Sequence, residues 1–152
     1  MIIVSDRAAR GERADGCAEV IRQQLADGRF SVAAAVLVPD EADAIARELR
    51  AAAAGGAAII LTSGGTGLGP RDVTPEATLA VIEREAPGIA EAIRAYSLNI
   101  TKRAMLSRGV AGIYQGSLII NLPGSPKAVA ESLAAVADQF EHALSMLQGG
   151  DH

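Results

Sequence analysis

The residues best suited to chemistry lie in a glycine-rich segment, residues 63–76, which also contains the carboxylate Asp72. The segment follows the apolar run 57–61, which predicts a buried strand, and it leads into Thr74-Pro75, a typical helix start. Glycine-rich loops between a strand and a helix can bind phosphate, because their bare backbone N–H groups surround an anion. An aspartate cannot bind a phosphate directly, so Asp72 predicts a metal ion between the two groups.

This segment matches neither of two common phosphate-binding motifs. Gly64 and Gly69 have the spacing of a Walker A motif, but Pro70-Arg71 stands where Lys and Ser or Thr are required. The alternating glycines read G-x-G-x-G, with four further residues before the helix, unlike a clean dinucleotide fingerprint. A tight structural turn would explain the glycines alone. The preceding strand, the acidic residue and the following helix favour a ligand loop.

A second carboxylate, Asp40, also follows a predicted strand and lies near the start of a helix. In an open parallel sheet, the loops after the strands gather at the carboxyl edge, where ligands bind. Asp40 and Asp72, 32 positions apart, are therefore predicted to face each other. A pair of carboxylates with open water positions suits Mg²⁺. The simpler alternative is that each aspartate caps a helix, although Thr74 already occupies the predicted cap position beside Asp72.

A third candidate segment, residues 122–127, connects the last predicted strand to the last predicted helix. Ser125 can cap that helix, and Pro126 suits its first position. The backbone amides there, together with Lys127, could bind a second anion. The capping role alone explains the sequence and is the favoured interpretation.

Strand patterns alternate with helical patterns along the chain. Strands are predicted at residues 2–4, 30–38, 57–61, 109–114 and 117–121. Helical spacing of apolar residues is predicted for residues 15–25, 40–54, 74–86, 89–100 and 125–147. The alternation predicts an α/β fold, a mostly parallel sheet with helices on both faces. A hairpin with its turn at Gln115-Gly116 adds one antiparallel strand.

The composition excludes several classes of protein. A net charge of −4 does not favour nucleic acid or an anionic membrane surface as a partner. The only cysteine, Cys17, rules out an intrachain disulfide and falls on the apolar side of a predicted helix, which indicates a core residue. His142 and His152 lack neighbouring ligand residues and do not predict a metal site. Residues 1–6 do not begin a signal peptide and the apolar run 51–61 is too short to span a bilayer, so we expect a cytoplasmic protein.

Taken together, these segments resemble the MogA/MoaB family of molybdenum-cofactor biosynthesis. The matching segments are Ser5-Asp6-Arg7, Pro39-Asp40-Glu41 and residues 62–67, 71–78, 106–108 and 119–127. They occur in the family's order and cover nearly the whole chain, and the block 64–78 is highly specific. The resemblance implies a three-layer α/β/α sandwich in which residues 1–152 form a single molybdopterin-binding domain.

The resemblance also implies an activity and a set of site residues. Catalytic members of the family are molybdopterin adenylyltransferases, which use Mg²⁺ and ATP to adenylylate molybdopterin and release pyrophosphate. By position, Asp40 and Asp72 match the acidic residues associated with catalysis and Mg²⁺. The positions that match substrate-binding segments are Gly64, Gly65, Thr66, Gly67, Asp72, Glu76, Ser107, Pro123, Gly124 and Ser125. Related proteins form trimers or hexamers, and a molybdenum-inserting enzyme is the expected recipient of the product.

Two alternatives remain open from the sequence. The first is a member of the same family that binds molybdopterin as a carrier, with little catalysis. The second is the related domain of CinA-type proteins, which are linked to nucleotide hydrolysis. The loop of those proteins tends to read G-G-L-G-P-T, whereas residues 64–71 here read G-G-T-G-L-G-P-R.

Overall fold

A six-stranded sheet forms the centre of the fold. The computed structural model describes residues 1–12, 16–26 and 29–150. The strands are β1 (Ile2–Val4), β2 (Val36–Val38), β3 (Ile59–Ser63), β4 (Arg84–Glu85), β5 (Ala111–Tyr114) and β6 (Ser117–Leu122). Their order in the sheet is β2-β1-β3-β6-β5-β4. The first four in this order are parallel, whereas β5 is antiparallel to both of its neighbours. Within the described sheet, one strand therefore runs against the other five, which confirms the predicted topology.

Helices cover both faces of the sheet. They are α1 (Asp6–Ala9), α2 (Cys17–Gln24), α3 (Ala42–Ala54), α4 (Thr74–Leu79), α5 (Pro87–Leu98), α6 (Pro126–Val136) and α7 (Phe140–Leu147). Short 3-10 segments follow α5 and α6, at Lys102–Leu106 and Ala137–Gln139. No helix of the described residues is long and apolar enough to cross a membrane.

The sheet separates two hydrophobic clusters, which confirms the three-layer sandwich. One cluster joins β6 through Leu118, Ile120 and Leu122 to helices α2, α5, α6 and α7. The other joins β6 through Ile119 to helices α3 and α4. All six residues of β6 are buried, because this central strand packs against helices on both faces. Cys17 is also buried, at 1% exposure, as predicted for a core residue.

Strand β2 is much shorter than the predicted run 30–38. Only Val36–Val38 pair with the sheet. The partner strand β1 begins at Ile2, which lies opposite Val36, so the residues before Val36 have no strand beside them. A β-rich composition was therefore insufficient to form a strand where no pairing partner exists.

Two predicted helices differ from the structure. Helix α4 ends at Leu79 rather than Ala86, because the chain turns there to form the edge strand β4 beside β5. The final helix is interrupted by the 3-10 segment Ala137–Gln139, which separates α6 from α7. The predicted start of α2 at Asp15 lies outside the described residues, and the described helix begins at Cys17.

The predicted hairpin is confirmed. Tyr114 pairs with Ser117 across a two-residue turn, and both turn residues have positive φ, 47° for Gln115 and 79° for Gly116. These angles are those of a type I′ turn, whose twist matches the right-handed twist of the two strands.

Candidate active site

A cleft of about 240 Å³ opens at the carboxyl edge of the sheet. It is lined by Val4, Ser5, Asp6, Arg7, Ala8, Asp40, Gly64, Gly65, Asp72 and Gly124. Five of these residues were predicted from the sequence as site residues, and they come from three separate loops. Both candidate catalytic aspartates, Asp40 and Asp72, face this cleft, as the parallel-strand argument predicted.

Asp40 is fixed by the start of helix α1. Its Oδ2 accepts a hydrogen bond from the backbone N–H of Asp6 at 2.7 Å, and its own N–H donates to Asp6 Oδ1 at 3.0 Å. The helix-cap alternative for Asp40 is wrong for α3, since Glu41 is the N-cap residue of that helix. The carboxylate of Asp40 instead points across the edge of the sheet to a segment 34 positions earlier.

The environment of Asp40 raises the pKa of its carboxyl group. Burial is the main cause that raises the pKa of Asp40, and the negative charges of Asp6 and Asp72 add to the effect. The hydrogen bond from Asp6 acts in the opposite direction. A cation in the cleft would relieve both the desolvation and the repulsion between carboxylates.

Asp6 has its own cationic partner, Arg71 from the glycine-rich segment. The guanidinium donates two hydrogen bonds to the Asp6 carboxylate, from Nε and Nη2, each at 3.0 Å. These hydrogen bonds lower the pKa of Asp6. Such a bidentate pair fixes the planes of both groups, so it connects the loop to the start of α1.

Asp72 is held by its own loop. Its Oδ2 accepts from the backbone N–H of Gly69 at 2.8 Å, and its N–H donates to the Gly69 carbonyl at 3.0 Å. A Cβ on Gly69 would lie 2.7 Å from Asp72 Oδ2, so a side chain there would displace the carboxylate. The loop sequence thus fixes the orientation of Asp72 locally.

Thr74 holds the beginning of the glycine-rich loop. Its hydroxyl donates to the carbonyl of Gly64 at 2.8 Å, and its backbone N–H donates to the carbonyl of Gly65 at 3.1 Å. Gly64 and Gly65 have φ values of 106° and 63°, a region that favours glycine. The predicted cap role of Thr74 is wrong: Val73 is the N-cap of α4, and Thr74 is its first helical residue.

Four consecutive N–H groups of this loop have no acceptor among the described residues. They belong to Gly65, Thr66, Gly67 and Leu68. Successive unpaired N–H groups in a turn form the type of nest that binds an anion. The loop therefore has free backbone donors of the kind expected of a ligand loop, and binding of a phosphate there stays a prediction.

Arg108 packs against the same loop and contacts several predicted site residues. Its backbone N–H donates to the Thr66 carbonyl at 2.9 Å, and its Nε donates to the Gly67 carbonyl at 2.7 Å. Its two terminal nitrogens bond the Asp72 carbonyl and the Glu76 carboxylate. The hydrogen bond from Arg108 lowers the pKa of Glu76. The predicted site residue Ser107 precedes Arg108, and its hydroxyl accepts from the Gly109 N–H at 3.4 Å.

The second loop packs directly on the first. The carbonyl of Pro123 accepts a hydrogen bond from the Ser63 hydroxyl at 2.9 Å. A Cβ on Gly124 would lie 3.1 Å from the Cα of Gly64, so the two backbones are in close contact. Ser125 caps α6 by accepting from the Ala128 N–H at 3.3 Å, and it does not line the cleft. The favoured capping interpretation of Ser125 is therefore confirmed.

A buried polar network supports the site from below. Asn121, at 4% exposure, donates to the hydroxyls of Thr62 and Thr78 at 3.0 and 2.9 Å. Its Oδ1 accepts from the Val110 N–H at 3.2 Å. The Thr78 hydroxyl in turn donates to the carbonyl of Thr74 at 2.9 Å. This network joins β3 and α4, which flank the glycine-rich loop, to the neighbouring strand β6.

The residues of the cleft fit a magnesium ion that is shared with a ligand. Among the described residues, no cluster of three or more His, Cys, Asp or Glu side chains could hold a metal. Asp40 and Asp72 each keep one oxygen, Oδ1, that accepts no hydrogen bond from the described residues. Two carboxylates suit Mg²⁺, which commonly takes its remaining ligands from waters and substrate phosphates. His142 is exposed on α7 and takes no part in this site; His152 lies outside the described residues.

Fold and cleft together define a three-layer α/β protein whose candidate site lies at the carboxyl edge of a mostly parallel sheet. Residues 1–142 match the family described as "Probable molybdopterin binding domain", and the chain belongs to this family. The family resemblance inferred from the motifs is thereby confirmed.

Named relatives agree with this assignment. Over 152 residues the chain is 41% identical to the "Molybdenum cofactor biosynthesis bifunctional protein" of Synechococcus elongatus. The matched region covers 100% of this chain and 48% of that protein. The chain is 44% identical over 149 residues to the molybdopterin adenylyltransferase of Haemophilus influenzae, covering 95% of this chain and 75% of that protein. The crystal structure of the molybdopterin biosynthesis enzyme MoaB from Thermus thermophilus has a TM-score of 0.92 at 53% identity, over 97% of this chain and 94% of that one. The chain thus spans about half the length of the first of these relatives.

Asp6 and Arg108 hold site residues in place, although neither received a role from the sequence. Asp6 follows strand β1 in the same way that Asp40 follows β2, so the strand-end argument would have identified it. Arg108 gives no such local signal, because its side-chain contacts lie 32 to 41 positions away.

Proposed function

We propose that residues 1–152 form a single domain that acts as a molybdopterin adenylyltransferase in molybdenum-cofactor biosynthesis. The observation that best supports this proposal is the joint placement of Asp40, Asp72 and the glycine-rich loop around one cleft. Family membership supports molybdopterin as the ligand, and the name of the relative from Haemophilus influenzae supports adenylyl transfer.

In the proposed reaction, a phosphate oxygen of molybdopterin attacks the α-phosphorus of ATP. A new P–O bond forms, the bond from the α-phosphorus to the β,γ-phosphate oxygen breaks, and pyrophosphate leaves with the electron pair. Such a transfer depends on positioning and charge neutralisation, and it needs no covalent enzyme intermediate.

The chain's own groups suit these two tasks. The unpaired N–H groups of residues 65–68 supply donors for phosphate oxygens. Asp40 and Asp72 would hold Mg²⁺, which when bound offsets the repulsion between the phosphate groups. Arg71 adds positive potential beside the cleft, although it is paired with Asp6 in the structure.

The decisive experiment measures pyrophosphate release with molybdopterin, ATP and Mg²⁺. Asp72→Asn and Asp40→Asn are expected to lower kcat by roughly 100-fold, the scale of losing one group that stabilises transition-state charge. Asp138→Asn is the matched control, since Asp138 is exposed in the 3-10 segment after α6. Unchanged turnover in both site variants would refute the assigned roles.

The same assay separates the two alternatives. Tight molybdopterin binding without ATP turnover would identify a carrier. Hydrolysis of a free nucleotide without molybdopterin would indicate the activity linked to CinA-type proteins. Adenylyl-molybdopterin as the product supports the transferase and makes a molybdenum-inserting enzyme the expected recipient.

We further propose that the protein acts as a cytoplasmic homotrimer. Support comes from an exposed apolar surface on the end of α5 and the following 3-10 segment. Its members, each at least 43% exposed, are Tyr96, Leu98, Ile100, Met105 and Leu106. Exposed apolar patches of this kind mark interaction surfaces, which supports association between copies. The number of three copies rests on the family resemblance, and the cytoplasm on the sequence expectation. Light scattering after gel filtration should give three times the chain mass for the wild type and a smaller mass for Ile100→Lys. A mass of six chains would indicate the hexamer. A monomeric wild type would refute the assembly.

A further inference from the structure

We propose that Arg108 is a positioning residue that turns the N–H groups of Gly67 and Leu68 toward the phosphate of the ligand. This inference rests on the proposed function for the identity of that ligand. The position of Arg108 in the fold supports it: the residue lies behind the glycine-rich loop and bonds the loop's carbonyl oxygens.

The contacts of Arg108 define one side of the loop. The carbonyl of Thr66 accepts from the Arg108 backbone N–H, and the carbonyl of Gly67 accepts from its Nε. Both carbonyls therefore point toward Arg108. The side chain of Arg108 is only 34% exposed, which favours a fixed geometry over a mobile surface contact.

Because the peptide bond is planar, the direction of each carbonyl also sets the direction of the N–H group in the same peptide unit. The described chain contains no cis peptide bond. In a trans peptide unit, the N–H of the next residue points opposite to the carbonyl. The N–H groups of Gly67 and Leu68 must therefore point away from Arg108.

Thr74 acts in the same way on the preceding half of the loop. It binds the carbonyls of Gly64 and Gly65, so the N–H groups of Gly65 and Thr66 point away from Thr74. Thr74 and Arg108 together hold four successive carbonyls. The four N–H groups on the opposite ends of these peptide units are those without an acceptor among the described residues.

The chemistry of the side chain explains why arginine suits this position. A guanidinium presents several donors in a rigid plane, whereas the ammonium of lysine is a single point on a flexible stem. Arg108 uses three of its nitrogens at once, on Gly67, Asp72 and Glu76. The Glu76 carboxylate accepts a hydrogen bond from this guanidinium and holds it in place. Glu76, predicted from the sequence to bind substrate, would thus act on the substrate indirectly, through Arg108.

Hydrogen exchange of the free protein tests the positioning without any ligand. In Arg108→Ala, exchange of the hydrogen-bonded loop amides, those of Gly69, Asp72 and Thr74, should become faster, and exchange across α6 should stay unchanged. The control is Arg103→Ala, an exposed arginine of the preceding 3-10 segment. Equal exchange in the wild type and Arg108→Ala would overturn the inference, whether or not the protein proves to be an adenylyltransferase.

Steady-state kinetics test the consequence for the ligand. Arg108→Ala should raise the KM for molybdopterin about tenfold or more, the scale of losing well-placed donors to a charged group. The KM for ATP should change far less. Arg108→Lys should fall between the wild type and Arg108→Ala. Guanidinium chloride below denaturing concentrations should restore part of the affinity of Arg108→Ala, and ammonium chloride should not.

A merely structural role would give a different result. If Arg108→Ala lowers the melting temperature but leaves the KM for molybdopterin at the wild-type value, the inference is wrong. Should Arg108→Ala fail to fold, Arg108→Lys and Glu76→Gln provide the same comparison. Both of these variants at the wild-type KM would also overturn the inference.

Discussion

Asp6 and Asp40 form a reciprocal pair, in which the backbone N–H of each residue donates to the carboxylate of the other. The Asp6 N–H donates to Asp40 Oδ2 at 2.7 Å, and the Asp40 N–H donates to Asp6 Oδ1 at 3.0 Å. The second oxygen of the Asp6 carboxylate also binds Arg71. Asp6 therefore joins a candidate catalytic residue to the glycine-rich segment, although neither is near it in sequence.

Replacing Asp6 should impair the proposed reaction without removing a candidate magnesium ligand. In Asp6→Ala, both the acceptor for the Asp40 N–H and the partner of Arg71 are lost. We expect kcat to fall by about tenfold, the scale on which supporting residues act. Asp6→Asn keeps one acceptor oxygen and should retain more activity. Pyrophosphate release measures both effects, and full activity in Asp6→Ala would contradict the prediction.

Asp40→Asn should stabilise the metal-free protein at neutral pH while it lowers activity. The pKa of Asp40 is raised mainly by burial, so its ionised form destabilises the folded state. This cost is absent below the ordinary value of 3.8 and appears as the pH rises through the raised pKa of the folded state.

Thermal unfolding in EDTA at two pH values checks this expectation. At pH 7, Asp40→Asn should melt above the wild type, and below pH 3.8 the difference should vanish. Asp138→Asn should not show this pattern. A lower melting temperature for Asp40→Asn at pH 7 would show that its hydrogen bond outweighs the cost of burial.

Gly64→Ala should be strongly destabilising. Gly64 has a φ of 106°, and a Cβ there would collide with the carbonyl oxygen of Val4 in strand β1. Gly56→Ala is the matched control, because Gly56 has a φ of 81° but open space around its Cβ position. We expect about 1 kcal/mol for the control, from backbone strain alone. The collision should add about 2 kcal/mol or more to the loss of stability in Gly64→Ala. Urea denaturation measures both losses, and equal losses for the two variants would refute the collision.

Asn121→Ala should reduce both stability and order at the loop. The substitution leaves the Val110 N–H without its acceptor and removes the donors to Thr62 and Thr78. We expect a loss of about 3 kcal/mol in the free energy of unfolding. The control Asn99→Ala removes an exposed hydrogen bond to Ala95 and should cost less than about 0.5 kcal/mol. A loss for Asn121→Ala no larger than the control would contradict the importance of the network.

The parts of the site that sequence could predict are those fixed by local patterns. The placement of Asp40 and Asp72 at one cleft was predicted because each follows a strand of a parallel sheet. That rule uses only the local sequence and needs no knowledge of distant contacts. The cap at Ser125 and the turn at Gln115-Gly116 depend on neighbouring residues alone. Roles of Asp40 and Asp72 in catalysis and metal binding stay predictions.

The parts that sequence could not predict depend on distant partners. Thr74 resembles a helix cap, but its hydroxyl is used by the Gly64 carbonyl of the folded loop. Arg108 contacts three backbone carbonyls of the glycine-rich loop and the carboxylate of Glu76, and all four groups are distant from it in sequence. Strand β4 consists of two exposed charged residues, Arg84 and Glu85, whose pairing is set by the edge of β5 rather than by their own β propensity.

The hairpin turn at Gln115-Gly116 has a practical consequence. Strand β6 starts beside this turn and ends at Leu122, whose carbonyl accepts from the N–H of Gly64 at the cleft. The turn is exposed and lies at the opposite rim of the sheet. A cysteine introduced at Gln115 would therefore tether the protein to a sensor chip with the cleft facing the flowing solution.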